Sequence, residues 1–274
     1  MEKLENKFKQ SEIYNDFFCG ESNKNLRKDK SYGNNVFAEF LYGSQNYGLD
    51  TVESDVDTRT IVIPDLKCLV DKKSVSETVT LSNGLSDVKD VKTMFQQFYK
   101  SNPTYLELLI SDYVVFSPAH KYEFDQLREM ADAIASRDKK ALVFASYGMV
   151  CNKVSALVSS LGPDKKEIAE YGYDGKNVAH ALRIDEFIHR FLGGATLKYS
   201  LYAKSYDCYQ TIIDLREHRY SFEEALELGR RAYANIGKLC SKEFEKPNKK
   251  VSALLNEIAY SLIKREIRLE LNMD

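Results

Sequence analysis

Between residues 41 and 57 the chain reads Leu-Tyr-Gly-Ser-Gln-Asn-Tyr-Gly-Leu-Asp-Thr-Val-Glu-Ser-Asp-Val-Asp, so Gly43 and Ser44 are followed, ten residues on, by Asp55 and Asp57. In an extended chain alternate side chains share a face, which sets Asp55 beside Asp57 and turns Val56 to the core. Two adjacent carboxylates repel each other. A divalent cation between their oxygens relieves the repulsion, and Mg²⁺ (or Mn²⁺) suits such a pair because it completes its shell with substrate phosphates. A glycine without a Cβ, next to a small hydroxyl, lets backbone N–H groups approach a triphosphate closely. Taken singly, Gly-Ser is most often a turn and D-x-D a solvated surface pair. In this order, behind an apolar run, they point to metal-assisted chemistry on a nucleotide.

The elements that must position these groups can be read from pattern. The β-branched and aromatic run at 36–41 predicts a strand that stops at Tyr42-Gly43-Ser44. A second strand is expected at 56–64, closed by Pro64, and a third at 74–81, before a turn at Asn83-Gly84. After Asp87 the apolar residues Val91, Met94, Phe95, Phe98 and Tyr99 recur at helical steps. Asn102-Pro103 breaks that helix, 104–111 resumes it, and 113–116 reads as a last short strand. From Pro118 onward only helical segments are expected, near 121–136, 140–160, 176–192, 202–217, 221–243 and 251–272. Ser221 with Glu224 forms a capping box, and Ser252 is expected to open the last helix. The expected fold is α+β: a small mixed sheet with helices, then an all-helical region. The expected division is an N-terminal extension at 1–35 (a helix near 6–18, then a Lys/Asn-rich loop from 21 to 35), a catalytic domain at 36–117 and a helical domain at 118–274.

Composition narrows the classes of function. The 39 Lys and Arg against 41 Asp and Glu leave a net charge of −2, so there is no global basic field and any nucleic-acid contact must be a local patch. Five scattered cysteines form no C-x-x-C pair or zinc-spaced cluster, which implies reduced thiols and a cytoplasmic location. Met1 to Gln10 lacks the apolar run of a signal peptide, and no stretch reaches bilayer length, so no membrane partner is expected. The 18 Tyr and 14 Phe suit core packing first and base stacking second.

The array G-S-x(10)-D-x-D resembles the signature of the DNA polymerase β nucleotidyltransferase superfamily. That resemblance implies two-metal transfer of a nucleoside monophosphate from an NTP to a hydroxyl. It also implies a third carboxylate on a later strand, for which Asp87 is the candidate and Asp90 the competitor. The block from Gly43 to Arg59 further resembles the G-S-x-x-Y-G-L-x-T-x-x-S-D-x-D-x-R motif of the RNA-ligase-associated, RNA-repair-linked (RlaP-like) nucleotidyltransferases. Asn102-Pro-Thr-Tyr-Leu-Glu-Leu-Leu109 and the helix with Lys176, His180 and Arg183 resemble later parts of that family.

Carried over residue by residue, the resemblance implies nucleotide-binding roles for Gly43, Ser44, Tyr47, Ser54, Arg59, Lys176, His180 and Arg183, with Asp55, Asp57 and Asp87 as metal ligands. Arg59 is expected either to meet a phosphate or to pair with the acidic cluster. Asn102 is expected to cap a turn and Glu107 to support the site from behind. Tyr171 and Tyr173 are expected to pack or to stack on a base, and His120, His189 and His218 carry no assigned role. Thr60, Asn177 and Val178 depart from the family pattern. The leading acceptor is an RNA 3′ end, as in RNA repair or tRNA processing. The alternatives are a protein-modifying enzyme of toxin–antitoxin type and a non-catalytic nucleotide sensor.

Overall fold

A computed structural model describes residues 21–28, 35–50, 54–81, 84–158 and 165–272. The helix expected at 6–18, Asn83 of the expected turn, and 159–160 of an expected helix lie outside the described residues. In chain order the elements are α1 (Glu21–Lys28), β1 (Asn35–Leu41), α2 (Ser44–Tyr47), β2 (Thr58–Ile63), α3 (Leu66–Val70), β3 (Ser76–Thr80), β4 (Leu85–Asp90), α4 (Val91–Tyr99), α5 (Pro103–Leu106) and β5 (Val114–Phe116). Helices follow: α6 (Lys121–Glu129), α7 (Ala131–Ser136), α8 (Lys139–Ser155), α9 (Lys165–Tyr171), α10 (Gly175–Leu192), α11 (Leu197–Leu201), α12 (Tyr209–Arg216), α13 (Phe222–Cys240) and α14 (Lys249–Glu270).

The five strands form one mixed sheet in the order β3-β4-β2-β1-β5. β1 pairs antiparallel with both β2 and β5, whereas β2 and β4 run parallel with Arg59 opposite Asp87. The central β2 is buried over its whole length, which its β-branched sequence T-R-T-I-V-I supports. Pattern alone does not mark β4, because L-S-D-V-K-D has the alternation of a strand but few of its apolar residues, and only the resemblance implied a strand at Asp87. Ser86, Val88 and Asp90 turn inward on one face, and Leu85, Asp87 and Lys89 line the other. Asp90 ends the strand and caps α4, accepting from Thr93 N–H at 2.7 Å and Val75 N–H at 3.1 Å. Its carboxylate is fully buried in that task, on the opposite face from Asp87.

One apolar cluster runs from Phe37, Phe40 and Ile61 on the sheet through Met94, Phe98, Leu108 and Phe124 to Val150, Phe187, Leu255 and Leu262 in the helices. Each such side chain contributes about 1.5–3 kcal/mol by leaving water. The cluster crosses residue 118, so strands and helices share a core. α14 returns to the sheet half, where Tyr99 Oη donates to Ser252 O at 2.8 Å and to Asn256 Oδ1 at 2.7 Å.

Local chemistry explains most departures from expectation. Residues 21–28 form α1 rather than a loop. The segment 121–136 divides at Met130. Asn248, not Ser252, opens the last helix: its Oδ1 accepts from Lys250 and Val251 N–H, and the Ser252 hydroxyl donates back to Asn248 O. The capping box at Ser221 and Glu224 forms as expected. α9 and α11, too short for a periodic signal, were not anticipated. Among the described residues no helix is long and apolar enough to cross a membrane.

Candidate active site

β1 delivers the chain to Gly43, whose backbone at φ 90°, ψ −141° is open to glycine and strained for other residues. The chain then coils into the single turn of α2. Residues 54–57 approach β2 without regular structure, so the D-x-D carboxylates precede the strand instead of starting it. Alternation still holds. Val56 is buried against Leu41, Asp55 is exposed and Asp57 is half-buried.

Two hydrogen bonds tie the bend to the acidic pair. Tyr42 N–H donates to Asp57 O at 3.1 Å, and Gln45 Nε2 donates to Asp55 O at 2.7 Å. Asp57 Oδ1 also accepts from Leu85 N–H, at 3.1 Å, at the start of β4. Burial raises the Asp57 carboxyl above its ordinary value, the Leu85 N–H pulls it down, and the charge of Asp55 pushes it up again. Gly84 packs under this loop. A Cβ there would lie 2.5 Å from Val56 O, so Gly84→Ala is expected to displace the acidic pair. We expect a stability loss of about 1–3 kcal/mol, read by chemical denaturation.

Asp87 lies beside this pair but faces cations. Its Oδ2 accepts from Arg59 Nε and Nη2, both at 3.0 Å, and its Oδ1 meets Lys89 Nζ at 2.9 Å. Arg59 Nη1 also donates to Thr104 O at 3.1 Å, and the guanidinium lies between the rings of Tyr42 and Tyr105, at 4.7 and 4.3 Å from their centroids. Of the two roles expected for Arg59, the geometry matches the ion pair: its guanidinium is spent inside the protein and does not reach toward a phosphate. Among the described residues no three Asp, Glu, His or Cys side chains converge to enclose a metal. The hard oxygens of Asp55 and Asp57 fit a small divalent cation that draws its other ligands from phosphate and water. A cation that drew in Asp87 would compete with Lys89 and Arg59 for its oxygens.

On the underside of the bend one amide is already taken. Gly43 N–H points inward and donates to Glu107 Oε1 at 3.1 Å. Glu107 is wholly buried, and burial pushes its carboxyl up to about 8 against the pull of Arg183 and of the Gly43 amide. The N–H groups left to face a ligand are those of Ser44 and Gln45, which open α2 and have no acceptor within that helix.

Lys176, His180 and Arg183 do not act from one exposed face. Arg183 is buried with its guanidinium 3.6 Å from the centroid of the Tyr47 ring, so both brace the bend from behind. His180 is half-buried, and burial, then Arg183 and Lys153, hold its imidazole well below the ordinary value and thus neutral. Lys176 is exposed and pairs with Glu167 at 3.7 Å. The turn of α10 between Lys176 and Arg183 carries one to solvent and the other to the core. Ser54 is half-buried, one residue before the acidic pair.

The departures from the family pattern are filled locally. Thr60 Oγ1 and Ser86 Oγ bond at 2.8 Å across β2 and β4, Asn177 Nδ2 donates to Asp174 Oδ2 at 2.6 Å, and Val178 is core. Asn102 caps α5 through Thr104 N–H at 3.0 Å. Tyr171 stacks on His218 at 4.1 Å, and buried Tyr173 donates to Tyr220 O at 2.8 Å, so both tyrosines pack. His120 pairs with Glu266 at 3.3 Å and His189 with Asp185 at 3.1 Å. Sequence reasoning missed Gln45 and Tyr42. Nothing in the motif marked Gln45, and Tyr42 becomes a hub only once Arg59, Asp57, Asp87 and Glu107 all surround it.

A family model described as RlaP, RNA repair pathway DNA polymerase beta family, matches residues 21–204. No curated protein matches the chain.

Proposed function

The chain belongs to the RNA repair pathway DNA polymerase beta family, and from that premise we propose that it moves a nucleoside monophosphate from an NTP to a hydroxyl, with an RNA 3′ end as the leading acceptor. The observation that carries this reading is the pair of bonds from Tyr42 N–H and Gln45 Nε2, which hold the Gly43–Ser44 bend in a set relation to Asp55 and Asp57. A triphosphate seated at the bend would lie against the amides of Ser44 and Gln45, its α-phosphate toward the two carboxylates. Held by Asp55 and Asp57 together with the phosphates, Mg²⁺ or Mn²⁺ would neutralise the charge that builds on the leaving pyrophosphate.

The protein's own part is positioning. The acceptor oxygen attacks the α-phosphorus, the bond to the bridging oxygen of the β-phosphate breaks, and pyrophosphate leaves with that electron pair. The hydroxyl proton passes to Asp87 once it has let go of Lys89, or to water. Arg59, Tyr105 and Tyr42 fix where Asp87 stands, and Glu107, Arg183 and Tyr47 fix the bend.

The double engagement of Asp87 favours a second reading, a nucleotide sensor that does not transfer. Incubation with labelled NTP, Mg²⁺ and total RNA separates the two. Label that moves onto RNA and disappears in Asp55→Ala supports transfer. Nucleotide binding that needs no metal and yields no labelled product supports the sensor.

A further inference from the structure

α8 and α13 pack against each other, and their outer faces have a composition that packing does not explain. α8 turns Leu142, Val143 and Val150 to the core, yet it also presents Phe144, 47% exposed, and half-buried Tyr147 on the outside. A helix apolar on every side is ordinarily buried. Across the seam Tyr233 of α13, 38% exposed, lies against Tyr147 with ring centroids 5.0 Å apart, and the two hydroxyls are hydrogen bonded.

Charge on α8, and on α13 beyond its first two turns, which carry Glu223, Glu224 and Glu227, is one-sided. Residues 139–155 contain Lys139, Lys140 and Lys153, residues 228–242 contain Arg230, Arg231, Lys238 and Lys242, and neither stretch has an Asp or Glu. None of these seven cations is in an ion pair among the described residues, whereas Lys89, Lys121, Lys176, Lys198, Arg59 and Arg190 all are. In a chain of net charge −2 this is the local basic patch that a nucleic-acid contact requires. α8 packs on its inner side against α10, whose Arg183 reaches Tyr47 behind the Gly43–Ser44 bend.

We propose that the outer face of α8 and α13, with Phe144, Tyr147 and Tyr233 among Lys140 and Arg230, binds single-stranded RNA by stacking bases on the rings and neutralising phosphates with the cations. The proposal deepens the transferase reading, on which it rests for the choice of RNA as the polyanion. Stacking platforms between basic side chains tolerate any sequence, as an enzyme acting on varied RNA ends requires.

The test is fluorescence anisotropy of a labelled, unstructured oligoribonucleotide with the full chain in the absence of NTP. Wild type is expected to bind with an affinity that falls as salt rises. Phe144→Ala should weaken binding about tenfold, and Lys140→Glu with Arg230→Glu should weaken it further and flatten the salt dependence. Both changes lie on exposed positions, and nucleotide binding by calorimetry should stay as in wild type. Wild type that does not bind the oligoribonucleotide, or variants that bind it as wild type does, would overturn the proposal. So would sedimentation showing a wild-type dimer that Phe144→Ala dissociates, because the face would then join two copies of the chain. RNA binding that behaves as expected without any Asp55-dependent transfer would instead remove the transferase reading and leave the surface standing.

Discussion

Asp57→Asn is expected to lower nucleotidyl transfer by a factor on the order of 10³, the scale lost when the anchor of a charge-stabilising cation is removed. It is also expected to leave the fold slightly more stable. Asparagine keeps the Oδ1 that accepts from Leu85 N–H, so the link to β4 survives. What it removes is a half-buried negative charge next to Asp55. Because the folded state raises the Asp57 carboxyl above its ordinary value, the ionised form costs stability at neutral pH, and that cost grows as pH rises through the folded-state value. A single-turnover assay with labelled NTP and a thermal melt at pH 7 check both halves. A variant as active as wild type would sink the metal-binding role of Asp57, and a lowered melting temperature would sink the account of a carboxylate strained by burial and by the charge of Asp55.

The second large effect is a pH-dependent stability set by Glu107. Its carboxyl stands at about 8 in the fold, where burial outweighs the help of Arg183 and the Gly43 amide, and near the ordinary carboxylate value when unfolded. The folded chain therefore holds a proton that the unfolded chain releases. The resulting stabilisation is fully present below a pH of about 4.5 and is lost as pH rises toward about 8; at about 1.4 kcal/mol per pKa unit the total is on the order of several kcal/mol. Glu107→Gln keeps an oxygen for Gly43 N–H and cannot ionise. Its unfolding free energy, from urea titrations at pH 5, 7 and 9, should be nearly flat where wild type declines. Parallel curves for the two proteins would show that Glu107 does not titrate in this window. Glu107→Ala, by contrast, leaves the Gly43 N–H unsatisfied beside a buried guanidinium, and should lie below Glu107→Gln at every pH by about 1–3 kcal/mol.

The candidate residues for chemistry were proposed from their types and intervals, which are themselves the constraint. Gly43 must take a positive φ, Ser44 must be small, and Asp55 and Asp57 must flank an apolar Val56. β1, β2 and the long helices announced themselves by periodicity, and the capping box at Ser221 by two residues. β4 did not, since a strand carrying Ser, Asp and Lys has no apolar pattern to read. For the same reason Asp87 was an argument from resemblance, and Asp90 stayed its competitor until the sheet put them on opposite faces.

By itself, then, the amino-acid order determined a run of strands followed by helices and marked Asp55, Asp57 and the Gly43–Ser44 bend as candidates, because periodicity and motif spacing are read within a few residues. Only the tertiary structure decided what each charge is spent on. Arg59 answers Asp87 because a parallel register lays β2 beside β4, Glu107 takes the Gly43 amide across 64 intervening positions, and Arg183 goes to Tyr47 because its turn of α10 faces the core. Partners so far apart in the chain leave no local trace, since their pairing is a consequence of how the core closes.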